Sequence, residues 1–68
     1  MAEGRIPAPL RKNMILQALR ESGFVAIPDL ARKFAVSEMT ARRDLDELAE
    51  QGLLSRTHGG AALEGFVP

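Results

Sequence analysis

Ser37-Glu-Met-Thr-Ala-Arg-Arg-Asp-Leu-Asp-Glu-Leu-Ala-Glu-Gln-Gly52 has the make-up of a capped amphipathic helix with a basic front end. Ser37 suits the N-cap, where its hydroxyl can accept from a backbone N–H left free in the first turn. Glu38 complements the positive end of the helix dipole. Gly52 stands where a left-handed residue would close the helix. Ala41, Leu45 and Leu48 fall at i, i+4 and i+7 with Ala49 beside them, one apolar stripe for burial. Met39, Arg43 and Asp46 point the other way, flanked by Arg42 and Thr40. A helix that buries its back and offers Met, Thr and two Arg from its first turns has the form of a groove-reading helix.

Upstream, Phe24-Val-Ala-Ile27 is short, apolar and β-branched and precedes Pro28, which predicts a small edge strand. Pro28 then opens a second helix, Asp29 to Ala35, with Leu30, Ala31 and Phe34 on one face. Ala35-Val36-Ser37 is a tight connection into the cap of the next helix. Two short helices joined this closely, the second with an exposed polar front, form a helix-turn-helix. Downstream, Leu53 to Arg56 and Ala61 to Leu63 read as strands around the turn Thr57-His-Gly-Gly60, since a Gly-Gly pair between strand-like runs signals a hairpin.

The first helix is expected from Pro9 to Glu21, ending at Ser22-Gly23, with Ile15 and Leu19 as its ridge. Leu10 and Met14 widen its apolar arc, which predicts packing on more than one neighbour. Residues 1–8 read as a flexible arm whose Arg5 could touch a phosphate. Residues 64–68 read as the start of a linker, with no place in this core for Phe66. Residues 9–63 then form one domain. The expected class is mainly α with a small β-hairpin: a winged helix-turn-helix of three helices and a two- or three-stranded wing sheet.

Sixty-eight residues allow one small domain that buries about 60–70% of its unfolded surface at most. With three Phe and no Trp or Tyr, the core must rest on aliphatic residues. The absence of Cys excludes disulfides and thiolate metal sites, and a single His cannot build a zinc site of the usual spacing. No cofactor is implied. No apolar run approaches the ~20 residues of a membrane helix, and no leader follows Met1, so the expected location is the cytoplasm. An enzyme is the poorest reading, with no Gly-rich phosphate loop and no nucleophile-base set.

The formal net charge is zero, yet the charge is polarised. Residues 5–43 carry eight bases and three acids; residues 44–68 carry five acids and one Arg. Such a chain can present a basic face despite its neutral total.

The ordered set Arg11…Ile15-Leu16…Leu19, Val25…Asp29-Leu30-Ala31…Phe34…Val36-Ser37…Thr40, Arg42-Arg43-Asp44-Leu45…Leu48…Gly52…Leu54…Arg56…His58-Gly59-Gly60-Ala61 resembles the N-terminal DNA-binding domain of the DeoR family of bacterial transcription regulators. It covers roughly residues 10–62. Ala41 departs from the pattern, standing where a larger aliphatic residue is common. The resemblance implies that the Ser37–Leu45 run is the recognition helix and that the His58–Ala61 run is the wing. It also implies a double-stranded DNA partner and a repressor of carbohydrate metabolism. A sugar-phosphate effector would bind only through a C-terminal domain absent from this chain. A homo-oligomeric full-length protein and a monomeric fragment are expected with it.

The candidate interface is therefore Ser37, Met39, Thr40, Arg42, Arg43, Arg56, His58 and Gly59. Of the two adjacent arginines, one would read a base edge and the other hold phosphate. Thr40 and Ser37 can donate to phosphate, and Met39 can contact a thymine methyl. Arg56, His58 and Gly59 would reach the backbone or minor groove from the wing, and Arg32 or Lys33 would supply one further phosphate contact. Asp44 is expected to be structural, orienting an Arg or pairing with the first helix. Against this stands a surface reading, with Arg42 and Arg43 paired to Glu38, Asp46 or Glu47 on a solvated helix, Ser37 only a cap and Met39 only a filler. The competing function is a winged helix for protein or RNA contact, since fold does not fix function. Exposed aliphatics or acids in place of Thr40, Arg42 and Arg43 would mark that version.

Overall fold

A computed structural model of the chain describes residues 6–63. The element order is α1 (Ala8–Ser22), β1 (Phe24–Ala26), α2 (Ile27–Phe34), α3 (Glu38–Glu50), β2 (Leu54–Thr57) and β3 (Gly60–Leu63). This is the expected winged helix-turn-helix. The expectations for the arm at Arg5 and for the linker from Glu64 with Phe66 lie outside the described residues.

Each helix is ended by a residue in the left-handed region, where the turned-back chain satisfies carbonyls that the helix leaves open. After α1, Gly23 takes φ 82 and its N–H donates to the Leu19 carbonyl at 2.6 Å. After α3, Gly52 takes φ 77; its N–H donates to the Ala49 carbonyl and the Leu53 N–H to that of Leu48. After α2 the same closure is made without glycine. Ala35 adopts φ 55, while the Val36 N–H donates to the Ala31 carbonyl at 3.0 Å. This strained alanine sets the tight corner between α2 and α3.

The three strands form one antiparallel sheet in the order β1-β3-β2, so β1 is an edge strand. Phe24, Val25 and Ala26 oppose Ala62, Ala61 and Gly60; on the other side Thr57 opposes Gly60 and Leu54 opposes Leu63. The first strand stops one residue earlier than its apolar run suggests. Ile27 is the first residue of α2, buried beside Leu30 and Phe34, and its N–H donates to the Gly59 carbonyl at 2.9 Å. A hydrogen bond to a residue distant in sequence thus takes the amide of Ile27 at the helix start, and Pro28 follows in the first turn, where it needs no donor.

The core lies where the three helices meet the sheet. Ile15 and Leu19 of α1, Ile27, Leu30 and Phe34 of α2, and Ala41, Leu45 and Leu48 of α3 are buried with Val25, Leu54 and Ala61. At about 25 cal/mol per Å² of apolar surface, each large aliphatic of this set contributes on the order of 2 kcal/mol. Leu10 does not join this arc; it is half exposed, and α1 reaches β1, β3 and α3 through its other residues. Among the described residues no helix is long and apolar enough to cross a membrane.

Candidate nucleic-acid interface

The front of α3 is built around its cap. Ser37 Oγ accepts from the Thr40 amide at 3.0 Å and donates to Thr40 Oγ1 at 3.1 Å. The ring fixes the hydroxyl pair at the tip of the helix, with Ser37 exposed and Thr40 half-buried. Behind it Ala41, Asp44, Leu45 and Leu48 turn inward, so Met39, Arg42 and Arg43 must turn outward by helical geometry. Met39 is 70% exposed and is not a filler of the core. Arg42 and Arg43 are exposed and form no ion pair among the described residues.

Three of the acids that follow, Asp44, Asp46 and Glu47, are occupied with holding α3 in place. Asp44 faces α1, where Arg11 donates through Nε to Oδ2 and through Nη2 to Oδ1, the latter at 3.1 Å. The side chains are only 11% and 5% exposed, and Arg11 Nη1 also donates to the Ile6 carbonyl. Hydrogen bonding to Asp44 holds the Arg11 guanidinium above its ordinary pKa, outweighing the burial that pulls it down. One turn on, Lys12 pairs with Glu47. On the opposite side of the helix, Asp46 pairs with Arg56 of β2. Asp44 is thus structural, and of the two expected parts it takes the pairing with the first helix.

Arg56 is placed beside α3 but is not free. Its Nη1 donates to Asp46 and its Nε to the Gly60 carbonyl at 2.9 Å, and the side chain is 27% exposed. Only Nη2 has no partner among the described residues. Next in the chain, His58 and Gly59 form the exposed two-residue turn between β2 and β3. Hairpin turns of the favoured primed types need positive φ at the first central residue. Here the positive φ, 84°, falls at Gly59 instead, the position that calls for glycine in a type II turn. The Gly59 carbonyl is the acceptor for Ile27, which fastens the wing turn to the start of α2. Gly60 has a different reason to be glycine: a Cβ there would lie 2.0 Å from the Val25 carbonyl oxygen.

Both charged residues at the end of α2 are exposed. Arg32 pairs with Asp29 at 2.7 Å, while Lys33 has its ammonium 5.8 Å from the Phe34 ring centre and no ion pair among the described residues. The charge polarity of the sequence is thus partly spent inside the fold, because Arg11 and Lys12 meet the acids of α3. What remains free at the front is concentrated in Arg42, Arg43 and Lys33. No group of three potential metal-ligating side chains comes together among the described residues.

Comparisons with known proteins agree with this architecture. The model of the DeoR-like helix-turn-helix domain matches residues 11–64. Over 53 residues the chain is 51% identical to the glycerol-3-phosphate regulon repressor of Escherichia coli (strain K12), covering 78% of this chain and 21% of that protein. Over 53 residues it is 49% identical to the lactose phosphotransferase system repressor of Lactococcus lactis subsp. lactis, covering 78% and 21%. Over 51 residues it is 47% identical to the L-fucose operon activator of Haemophilus influenzae, covering 75% and 20%. The chain therefore spans about a fifth of the length of these relatives. No solved structure matches it at a comparable level. With the helix-turn-helix, the wing and the family model all falling on the same residues, the chain belongs to the DeoR-like helix-turn-helix family of DNA-binding transcriptional regulators.

Proposed function

We propose that this chain is the sequence-specific DNA-binding part of a longer bacterial regulator that represses genes of carbohydrate metabolism. The observation that carries this reading is the split within Arg42-Arg43-Asp44: the carboxylate is buried against Arg11, and both guanidinium groups are exposed at the capped front of α3 with no ion pair among the described residues. In solution a helix of this kind gains from pairing its arginines with its own acids. Here Asp44, Asp46 and Glu47 are taken up by α1 and β2, and neither arginine pairs with Glu38, which leaves the arginines for an external anion.

In this reading the front of α3 enters the major groove. Arg42 or Arg43 donates to a guanine edge and the other to phosphate; Ser37 and Thr40 donate to phosphate, and Met39 meets a thymine methyl. The wing turn at His58 and Gly59 lies along the backbone or minor groove, with Arg56 Nη2 as its donor. Lys33 adds a phosphate contact from α2. The repressor role follows the names of most relatives; the fucose operon relative is named an activator. The longer protein would bind a phosphorylated sugar in its C-terminal part, act in the cytoplasm and assemble as a homo-oligomer. The 68-residue chain alone would be a monomer. It would bind weakly, because one module buries only about 600–1,000 Å² on DNA and tight binding needs paired half-sites.

The test is an amide-shift titration of the labelled chain with a DNA duplex at low and moderate salt. Shifts are expected at residues 37–43 and 56–60, fading as salt rises. A folded chain with no shifts at low salt would overturn the reading and point to a protein partner.

A further inference from the structure

Three of the five acids of α3 are accounted for by Arg11, Lys12 and Arg56, and Glu50 lies at the far end of the helix, about 18 Å from the front at 1.5 Å per residue. Glu38 remains. It is the first residue of α3, exposed, and without an ion pair among the described residues. Arg42 lies four residues on along the same flank, an arrangement in which a Glu and an Arg ordinarily pair; here they do not.

We propose that Glu38 is a specificity-determining residue whose carboxylate accepts a hydrogen bond from the N4 amino group of a cytosine. This rests on the major-groove docking of α3 argued above. Side chains of a helix lean toward its N-terminus, so Glu38 projects ahead of Ser37, at the leading edge of a helix that enters the groove front first. A carboxylate placed there is repelled by phosphate and by the N7, O6 and O4 acceptors of guanine, adenine and thymine. Cytosine is the one base whose major-groove edge offers a hydrogen-bond donor with no acceptor beside it. Glu38 therefore acts by exclusion as much as by attraction: it makes most sequences worse. If Arg42 rather than Arg43 is the arginine that reads a base edge, its guanine lies one or two base pairs away on the same flank.

A helix-dipole role would also explain an acid at this position, and it predicts no base preference. The experiment is to sequence members of a randomised duplex library retained at low salt by the 68-residue chain, its Glu38→Ala variant and its Glu38→Gln variant. Thermal melts would establish that all three are folded. The wild type is expected to enrich cytosine about tenfold at one position. Glu38→Ala should become indifferent there, keep its other preferences and bind random duplex more tightly. Glu38→Gln should shift the same position toward adenine, because a carboxamide can engage N6 and N7 together. Identical preferences in all three proteins would overturn the role of Glu38 while leaving the DNA-binding reading intact. A folded wild type that enriches no position would overturn sequence-specific binding, and the role of Glu38 with it.

Discussion

Arg11 and Asp44, 33 residues apart in sequence, form a two-bond ion pair that fastens the first helix to the middle of α3. The pair is buried, so it is unsupported by water if either member is lost. Asp44→Ala strands a guanidinium and is expected to cost about 3–5 kcal/mol, a large share of the stability of a domain this small. Asp44→Ala should therefore be mostly unfolded by circular dichroism at 37 °C. The double variant Arg11→Met with Asp44→Leu should recover most of the lost stability, because it removes both charges and keeps apolar volume. If Asp44→Ala melts within a few degrees of wild type, the pair does not organise the helix.

The same pair makes a prediction about alkaline conditions. Arg11 has its pKa raised in the folded state, first by hydrogen bonding to Asp44. A raised cationic group contributes its stability fully below its unfolded pKa and loses it only as pH rises through the folded value. For an arginine that window lies above about pH 12. Between pH 7 and 10 the contribution of Arg11 should be constant, so Arg11→Met should differ from wild type by the same amount in urea titrations at both pH values. A difference that shrinks by pH 10 would count against this assignment.

Ala35 turns the corner between α2 and α3 in a conformation that glycine adopts freely and alanine does not. The side chain is exposed, so replacing it removes no packing. Ala35→Gly should relieve about 1–2 kcal/mol of left-handed strain and lose part of that to the greater freedom of the unfolded chain. A net gain of about 0.5–1 kcal/mol is expected, seen as a rise of roughly 2–8 °C in the melting midpoint. A fall would mean that the methyl group contributes something the backbone geometry hides.

The two glycines of the wing should respond unequally to alanine. Gly59 has open space around its Cβ position and only its φ of 84° to defend, so Gly59→Ala should cost about 1–2 kcal/mol. Gly60 has the Val25 carbonyl oxygen 2.0 Å from that position. Gly60→Ala must push β3 off β1 and should cost more, with lost amide protection from Phe24 to Ile27. Equal destabilisation by the two would argue against the register of β1 on β3.

These residues also show why some of the fold was legible in the sequence and some was not. Helix ends were readable because Ser37, Gly23 and Gly52 are local devices whose chemistry acts on the adjacent turn. Asp44 reads as structural from the sequence because a carboxylate facing DNA would be repelled by phosphate. Ile27 was misplaced in the strand because its helical start depends on the Gly59 carbonyl, 32 residues downstream. The split of charge between the two halves of the chain suggested a basic face. Its first consequence is internal pairing of Arg11 and Lys12 with α3; the sequence offers the Asp44 side of this as one of two alternatives, and no local pattern announces Lys12 with Glu47. Arg56 and Asp46 are a similar case: each was seen on its own element, and only the packing of β2 on α3 brings them together.

That last pair allows a test in which losing an acid strengthens binding. Asp46 and Arg56 are both partly exposed, so their pairing is worth little to stability, about 0–1 kcal/mol. Its larger effect is on where the Arg56 guanidinium points. Asp46→Ala removes the acceptor of Nη1 and one negative charge from the exposed face shared with Met39 and Arg43. Arg56 is then free to donate to phosphate with two nitrogens rather than one. Binding to an arbitrary duplex should tighten, and the slope of log affinity against log salt should steepen by about 1. The double variant Asp46→Ala with Arg56→Ala should lose that added slope. If Asp46→Ala instead weakens binding at every salt concentration while remaining folded, Asp46 holds Arg56 in the position from which it already contacts the backbone. The pair would then belong to the interface as a unit, with the carboxylate setting the reach of the wing.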